Sequence, residues 1–216
     1  MAHLSEDPIL IDVFGSGEDI HSATAAHIYG LEVGDLEHRH RVVAKMVNYG
    51  LAYGMGAPGL AERLNVPRTE AEEIMDVYFE QFGGVADFLD AVVKQAHADG
   101  FTTTLFGRRR YLPELGSGNP RVRAIGERQA LNAPIQGTAA DVLKLAMINV
   151  ERRLRDEGLG TRMILTVHDE LVFEVPTAEK KKATQVVEEE MTGVCEMKVP
   201  LAVDVSYGEN WAEAKG

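Results

Sequence analysis

Apolar residues recur every three or four positions through the first half of the chain, so this half reads as helices separated by short breaks. Asp19 predicts an N-cap for a segment ending at Tyr29. A second helix is predicted from Glu37 to about Leu51, interrupted by Gly54, Gly56 and Pro58, and a short piece covers Leu60 to Leu64. Thr69 opens T-E-A-E shortly after a proline, an acidic first turn that predicts a helix to about Phe82. Gly83-Gly84 breaks it, and a further helix runs to about Gly100.

The second half is mixed. Thr102–Leu105 and Tyr111–Leu112 flank Gly107 and three arginines, which predicts a hairpin. Arg121 to Glu157 reads as mostly helical, with a kink expected at Pro134 and Gly137. Two β-rich runs, Arg162–Val167 and Leu171–Val175, lie on either side of His168-Asp169-Glu170 and predict two strands joined by a tight acidic turn. Ala178–Met191 should be a helix and Leu201–Ser206 a final strand. The change of style near Gly116-Ser117-Gly118 is the best boundary between a helical lobe and a sheet-containing one.

Composition narrows the class. The chain has 216 residues, 45% of them hydrophobic and 26% charged, enough for a sizeable core. The helical segments are interrupted by charge, so no bilayer-spanning run is expected, and the first residues lack the basic-then-apolar order of a secretory signal. The single cysteine, Cys195, cannot form an internal disulfide, so a reducing cytoplasm is the natural setting. The net charge of −12 argues weakly against a nucleic-acid partner. Between Phe101 and Ala130, however, six arginines face only Glu114 and Glu127, a local charge of +4. A second basic patch joins Arg39, Arg41 and Lys45, with His38 and His40 between. Phosphate contacts need local charge, although such runs are also simply solvated faces.

Three constellations carry candidate chemistry. Arg41, Lys45, Tyr49 and Tyr53-Gly54 are spaced by four, a drift of about 40° per step that keeps all four side chains on one broad helical stripe. Two cations followed by two rings suit a nucleoside triphosphate, and an amphipathic helix with a buried tyrosine pair fits the rings equally well. Asp169 and Glu170 are adjacent carboxylates whose repulsion a hard Mg²⁺ would relieve, or they are acids of an ordinary exposed turn. Arg128, Asn132 and Gln136 share a helical face of residue types that read base edges and phosphates, or they are surface polar residues.

The order and wording of these motifs resemble family A DNA polymerases, the bacterial DNA polymerase I type. The resemblance rests on R-x3-K-x3-Y-x3-Y-G, TLFGRRRYLP, ERQALNAPIQGTAAD and VHDELVFEV, with HLSEDPILIDVF, DIHSATA and GENWAEA at the flanks, and covers nearly the whole chain. It implies an α+β fold: a helical fingers lobe plus an incomplete antiparallel palm sheet of a right-hand polymerase. Residues 1–116 would form the fingers-like lobe, with a palm remnant at 1–14, and residues 117–216 the palm part. By the same resemblance His21, Arg41 and Lys45 would hold the triphosphate of an incoming dNTP, and Tyr49 would stack on its sugar. A tyrosine there is associated in the family with accepting dideoxynucleotides. Tyr53, Arg108, Arg128, Asn132, Gln136 and His168 would face primer–template DNA. Asp169 would be a metal-ligand aspartate with Glu170 its acidic neighbour, so that Asp169, Glu170 and Lys45 are the candidate catalytic residues and Mg²⁺ the cofactor. The implied activity is template-directed transfer of a nucleotide from dNTP to a primer 3′-hydroxyl, in DNA replication or repair.

The family's other metal aspartate lies in a D-Y-S-Q-I-E-L-R type motif directly before A-H-L-S, whereas this chain begins Met1-Ala2-His3-Leu4-Ser5. Glu6 and Asp7 come just after that point and, in the family, are not ligands. The chain alone is therefore expected to have little or no polymerase activity, with an unpaired sheet edge and exposed apolar surface where that motif's strand would lie. Three arrangements satisfy this: a piece of a full polymerase, one half of a split polymerase that assembles with an upstream polypeptide, or a non-catalytic module binding DNA and nucleotides. A plain nucleic-acid-binding protein with an acidic turn is the reading from another class. No membrane partner is expected.

Overall fold

The computed structural model describes residues 1–215. Ten α-helices and four short strands are assigned among them. By their contacts the residues form two compact units, Met1–Thr138 and the segment from Ala139 onward.

In the first unit, α1 (Ala2–Ser5) and α2 (Pro8–Ser16) precede α3 (Ile20–Tyr29) and α4 (His38–Ala52). Asp7 caps α2, accepting hydrogen bonds from the Ile9 and Leu10 amides at 3.1 and 2.9 Å, with Pro8 at the first helical position. Its second oxygen accepts from the Gly84 amide at 2.9 Å, so one buried carboxylate ties the N-terminus to a later helix. A Cβ on Gly84 would meet the Asp7 Cα at 2.8 Å, so this close approach requires glycine. Asp19 caps α3 as expected, accepting from the Ser22 amide at 3.2 Å.

α5 (Ala57–Leu64), α6 (Arg68–Gln81) and α7 (Gly83–Asp99) complete the helical part. Ala25, Ala44, Val47, Leu51, Leu60, Ala71, Tyr78, Phe82 and Val85 are buried and supply its core. The predicted hairpin forms as β1 (Phe101–Thr103) and β2 (Arg109–Tyr111), antiparallel, with Thr102 opposite Arg110. Ala96, Leu112, Leu115 and Ala130 make a second small core beneath it.

α8 (Pro120–Asp156) runs unbroken through Pro134, with the helical assignment continuous across the expected kink. Its residues from Ala139 belong to the second unit, which also holds β3 (Arg162–Val167), β4 (Glu170–Glu174), α9 (Lys180–Thr192) and α10 (Trp211–Lys215). Val150 and Leu154 pack with Val186 and Val187 of α9, and Met163 and Phe173 of the hairpin join them. Arg153 pairs with Glu157, Glu189 and Glu190 on the rim of this core.

The final strand expected at Leu201–Ser206 is not formed. A strand needs a ladder partner for its backbone groups, and the β3–β4 sheet has two strands only among the described residues. Just beyond this segment the chain is anchored by a side chain instead: the Tyr207 hydroxyl donates to the Lys180 carbonyl at 2.9 Å and lies 2.6 Å from Thr184 Oγ1. The β3–β4 register shifts between Met163 and Leu165, which places consecutive apolar residues, Ile164 and Leu165, outward at 53% and 47% exposure. Each two-stranded sheet among the described residues thus keeps unpaired strand edges.

Candidate nucleotide and nucleic-acid sites

α4 presents Arg41, Lys45 and Tyr49 on its exposed face, with Ala44, Val47 and Leu51 buried opposite. Tyr49 is 51% exposed and Tyr53, just past the helix, is also exposed, which rules out the buried tyrosine pair. α3 packs against α4 and brings His21 to the same face. The His21 and Tyr49 rings stand 5.7 Å apart at 44°. Burial keeps the His21 imidazole below the ordinary histidine range; the Arg41 and Lys45 charges push the same way and the Asp19 carboxylate opposes them. The face is cationic around a neutral imidazole, a surface matched to a polyphosphate.

Arg41 is not idle. Its Nε and one terminal nitrogen donate to the two Asp19 carboxylate oxygens at 2.6 and 3.2 Å. The Arg41 hydrogen bonds, with help from Ser22, hold the Asp19 carboxyl well below the usual carboxylate range. Asp19 therefore caps α3 and holds the guanidinium that the stripe offers to a ligand.

A groove of about 310 Å³ is lined by Tyr53, Ile125, Arg128, Gln129, Asn132 and Gln136. It gathers four of the residues assigned to DNA by resemblance. Asn132 donates to Gln136 Oε1 at 3.0 Å, one turn apart on α8, while its own Oδ1 is buried without a hydrogen-bond partner. An adjacent cleft of about 380 Å³ adds Arg108, Arg109 and Arg110 and three threonines, Thr102 to Thr104. Arg108 donates to the Gly137 carbonyl at 2.9 Å. A Cβ on Gly137 would meet Thr104 Cγ2 at 2.5 Å, so this glycine lets the hairpin lie directly on α8.

In the second unit His168 and Asp169 form the two-residue turn between β3 and β4, with Val167 opposite Glu170. His168 adopts a left-handed φ of 56°, a strained state for a residue with a side chain. Asp169 is exposed at the tip. Glu170 is the first residue of β4, and Lys215 pairs with it at 3.0 Å. Among the described residues no group of three or more His, Cys, Asp or Glu side chains converges as a metal site. The oxygen donors are of the type Mg²⁺ prefers, but two neighbouring carboxylates, one engaged by lysine, do not complete a site.

Residues 1–213 match the sequence profile of DNA polymerase family A. The chain belongs to that family. It is 49% identical over 214 residues to the DNA polymerase I of Mycobacterium bovis, covering 99% of this chain and 24% of that protein. The Geobacillus stearothermophilus DNA polymerase I is 45% identical over 215 residues, again 24% of its length. Among solved structures, the POL domain of Pol1 from M. smegmatis, in complex with DNA primer-template and dNTP, superposes at a TM-score of 0.96 with 49% identity. The match covers all of this chain and 38% of that one. The chain thus spans about a quarter of the length of the curated relatives it matches. The α+β architecture with small antiparallel sheets is the family's.

Several members of this family A surface escaped the sequence reading. Asp19 was legible as a cap but not as the Arg41 clamp, because a 22-residue separation carries no periodic signal. Asn48, which bonds both Thr24 and His21 between α3 and α4, was missed for the same reason. Asp7 had a local signature in Asp-Pro, yet only the fold reveals its bond to Gly84.

Proposed function

We propose that this chain forms part of a template-directed DNA polymerase and supplies its triphosphate-binding and primer–template surfaces. The observation that carries this is the α3–α4 face, where His21, Arg41, Lys45 and Tyr49 come together from two helices. In this reading Arg41, Lys45 and His21 bind the phosphates of a dNTP and offset charge that develops on them, and Tyr49 packs on its sugar. Tyr53, Arg128, Asn132 and Gln136 face the primer–template, with Arg108 on the hairpin beside them. The family resemblance gives His168, on the β3–β4 turn, a role at the primer end. The related POL domain, solved with primer-template and dNTP, supports both partners.

The reaction joins the primer 3′-oxygen to the α-phosphorus and breaks its bond to the departing pyrophosphate. Asp169, with Glu170 beside it, is proposed as a carboxylate ligand for Mg²⁺, whose chemistry would be to activate the 3′-hydroxyl and stabilise the leaving group. Because the donor set in this chain is incomplete, its own residues account for binding and orientation, and catalysis needs further carboxylates from a companion polypeptide segment. A cytoplasmic setting belongs to the same reading, consistent with the lone Cys195.

The test is primer extension with this chain, Mg²⁺ and four deoxynucleotides, with and without an added upstream polypeptide carrying the missing acidic motif. Extension only with the supplement supports the assignment. Extension by the chain alone would show that another residue supplies the missing carboxylate. A second reading, a non-catalytic module binding DNA and nucleotides, is favoured by the incomplete metal site. It predicts nucleotide binding with no extension under either condition.

A further inference from the structure

Between α3 and α4 lies a polar relay that the triphosphate reading does not use. Thr24 is fully buried on α3, and its hydroxyl donates to the Ile20 carbonyl at 2.8 Å, a shorter contact than the 3.1 Å to Asn48 Oδ1. A hydroxyl has one hydrogen to give. With that hydrogen committed to Ile20, Thr24 Oγ1 can only accept, and the group that donates to it is Asn48 Nδ2 at 3.0 Å. The second hydrogen of the same amide then points to His21 Nδ1 at 3.1 Å. An imidazole nitrogen that accepts carries no proton, so the proton of the neutral ring sits on Nε2.

We propose that Asn48 is a positioning residue that locks His21 as its Nε2–H tautomer, so that the ring presents a hydrogen-bond donor to a triphosphate on the Arg41–Lys45 face. The inference rests on the triphosphate role of His21 proposed above. It adds a reason for the role: a neutral histidine in the other tautomer would offer a lone pair to the phosphate oxygens and repel them. Burial and the neighbouring Arg41 and Lys45 charges favour the neutral ring, with Asp19 the one opposing carboxylate, so the tautomer decides what the ring offers. The relay is stiff at its far end because the buried Thr24 is tied to its own helix.

The experiment is long-range nitrogen–proton NMR of the histidine rings, assigned to His21 by the His21→Ala variant, with tripolyphosphate titration of the same samples. The wild-type chain should show His21 as a single Nε2–H tautomer. Asn48→Ala should shift the ring nitrogens toward a tautomer mixture and weaken tripolyphosphate about three- to tenfold, less than the full loss of a hydrogen bond to a charged group because part of the population keeps the donor tautomer. Thr24→Val, close in shape and lacking the hydroxyl, should move the spectrum in the same direction even if Asn48→Ala folds poorly. Asn48→Asp replaces the donor with an acceptor and should draw a proton onto Nδ1. A wild-type Nδ1–H tautomer, or ring shifts unchanged in both folded Asn48→Ala and Thr24→Val, overturns the proposal. Full tripolyphosphate affinity in His21→Ala, with the spectral changes intact, would instead overturn the phosphate role of His21 and leave the relay standing.

Discussion

The α3–α4 face and the β3–β4 hairpin tip are both polar, and they are built in opposite ways. On α3 and α4 two of the candidate side chains are held by others: Arg41 by Asp19, and His21 by Asn48, which Thr24 holds in turn. At the hairpin, Asp169 stands exposed on a strained turn, and its neighbour Glu170 is taken by Lys215 at 3.0 Å. The first region lies within one compact unit, and its held side chains are the kind of preorganisation that the proposed phosphate site needs. The second offers an exposed carboxylate, and among the described residues no group of three or more such side chains gathers around it.

The sharpest way to break this contrast is at the hairpin. Asp169→Asn keeps the size of the side chain and removes its charge. In an extension assay supplemented with an upstream polypeptide carrying a D-Y-S-Q-I-E-L-R type motif it should lower the rate by about a thousandfold or more, the effect of losing a catalytic metal ligand. Binding of tripolyphosphate without metal should be unchanged, since the α3–α4 residues remain. A reduction below tenfold would show that Asp169 is an ordinary turn residue.

The next test addresses the preorganised face. Lys45→Ala should weaken triphosphate binding by about ten- to hundredfold, the range for a charge-assisted contact to phosphate. Equal affinity for the variant and the parent chain would remove Lys45 from the site and dissolve the contrast. The thermal midpoint should barely move, since Lys45 is exposed.

Asp7→Ala separates scaffold from site. It removes the cap of α2 and leaves the half-buried Gly84 amide without its acceptor. The expected loss is about 2 kcal/mol or more in urea unfolding, with triphosphate affinity of the folded fraction unchanged. A loss within about 0.5 kcal/mol, the range of an ordinary surface substitution, would show that the tie carries no stability.

How much of this was legible depends on the range of each signal. Helix periods and caps act over a few residues, so α3, α4 and both hairpins were recoverable from spacing and turn chemistry. The stripe of Arg41, Lys45 and Tyr49 was visible because one helix carries it, although only burial decided that its tyrosines face water. Leu201–Ser206 has the composition of a strand and fails as one because strand formation depends on a partner, which local pattern does not encode. Bonds across 22, 27 and 77 residues, Asp19 to Arg41, His21 to Asn48 and Asp7 to Gly84, arise from packing and left no mark on the sequence. The motif resemblance supplied roles that spacing alone left open.

The smallest expected effect tests whether the preorganised face is also restrained. Asp19 holds Arg41 through two hydrogen bonds, and any phosphate that binds Arg41 must share or displace that carboxylate. Because the Asp19 carboxyl is held well below the usual carboxylate range, mild acid does not release it: the pair is intact at neutral pH and is lost only as pH falls through that depressed value. Substitution is the cleaner route. Asp19→Asn retains an N-cap and removes the competing charge. Triphosphate affinity should rise about two- to fivefold at low ionic strength, and the gain should shrink as salt screens this largely exposed pair. The Arg41→Lys variant, which cannot form the two-pronged contact, should show less dependence on Asp19. Weaker binding in Asp19→Asn would mean that the carboxylate orients Arg41 for phosphate and does not compete with it, and the face would then be preorganised without restraint.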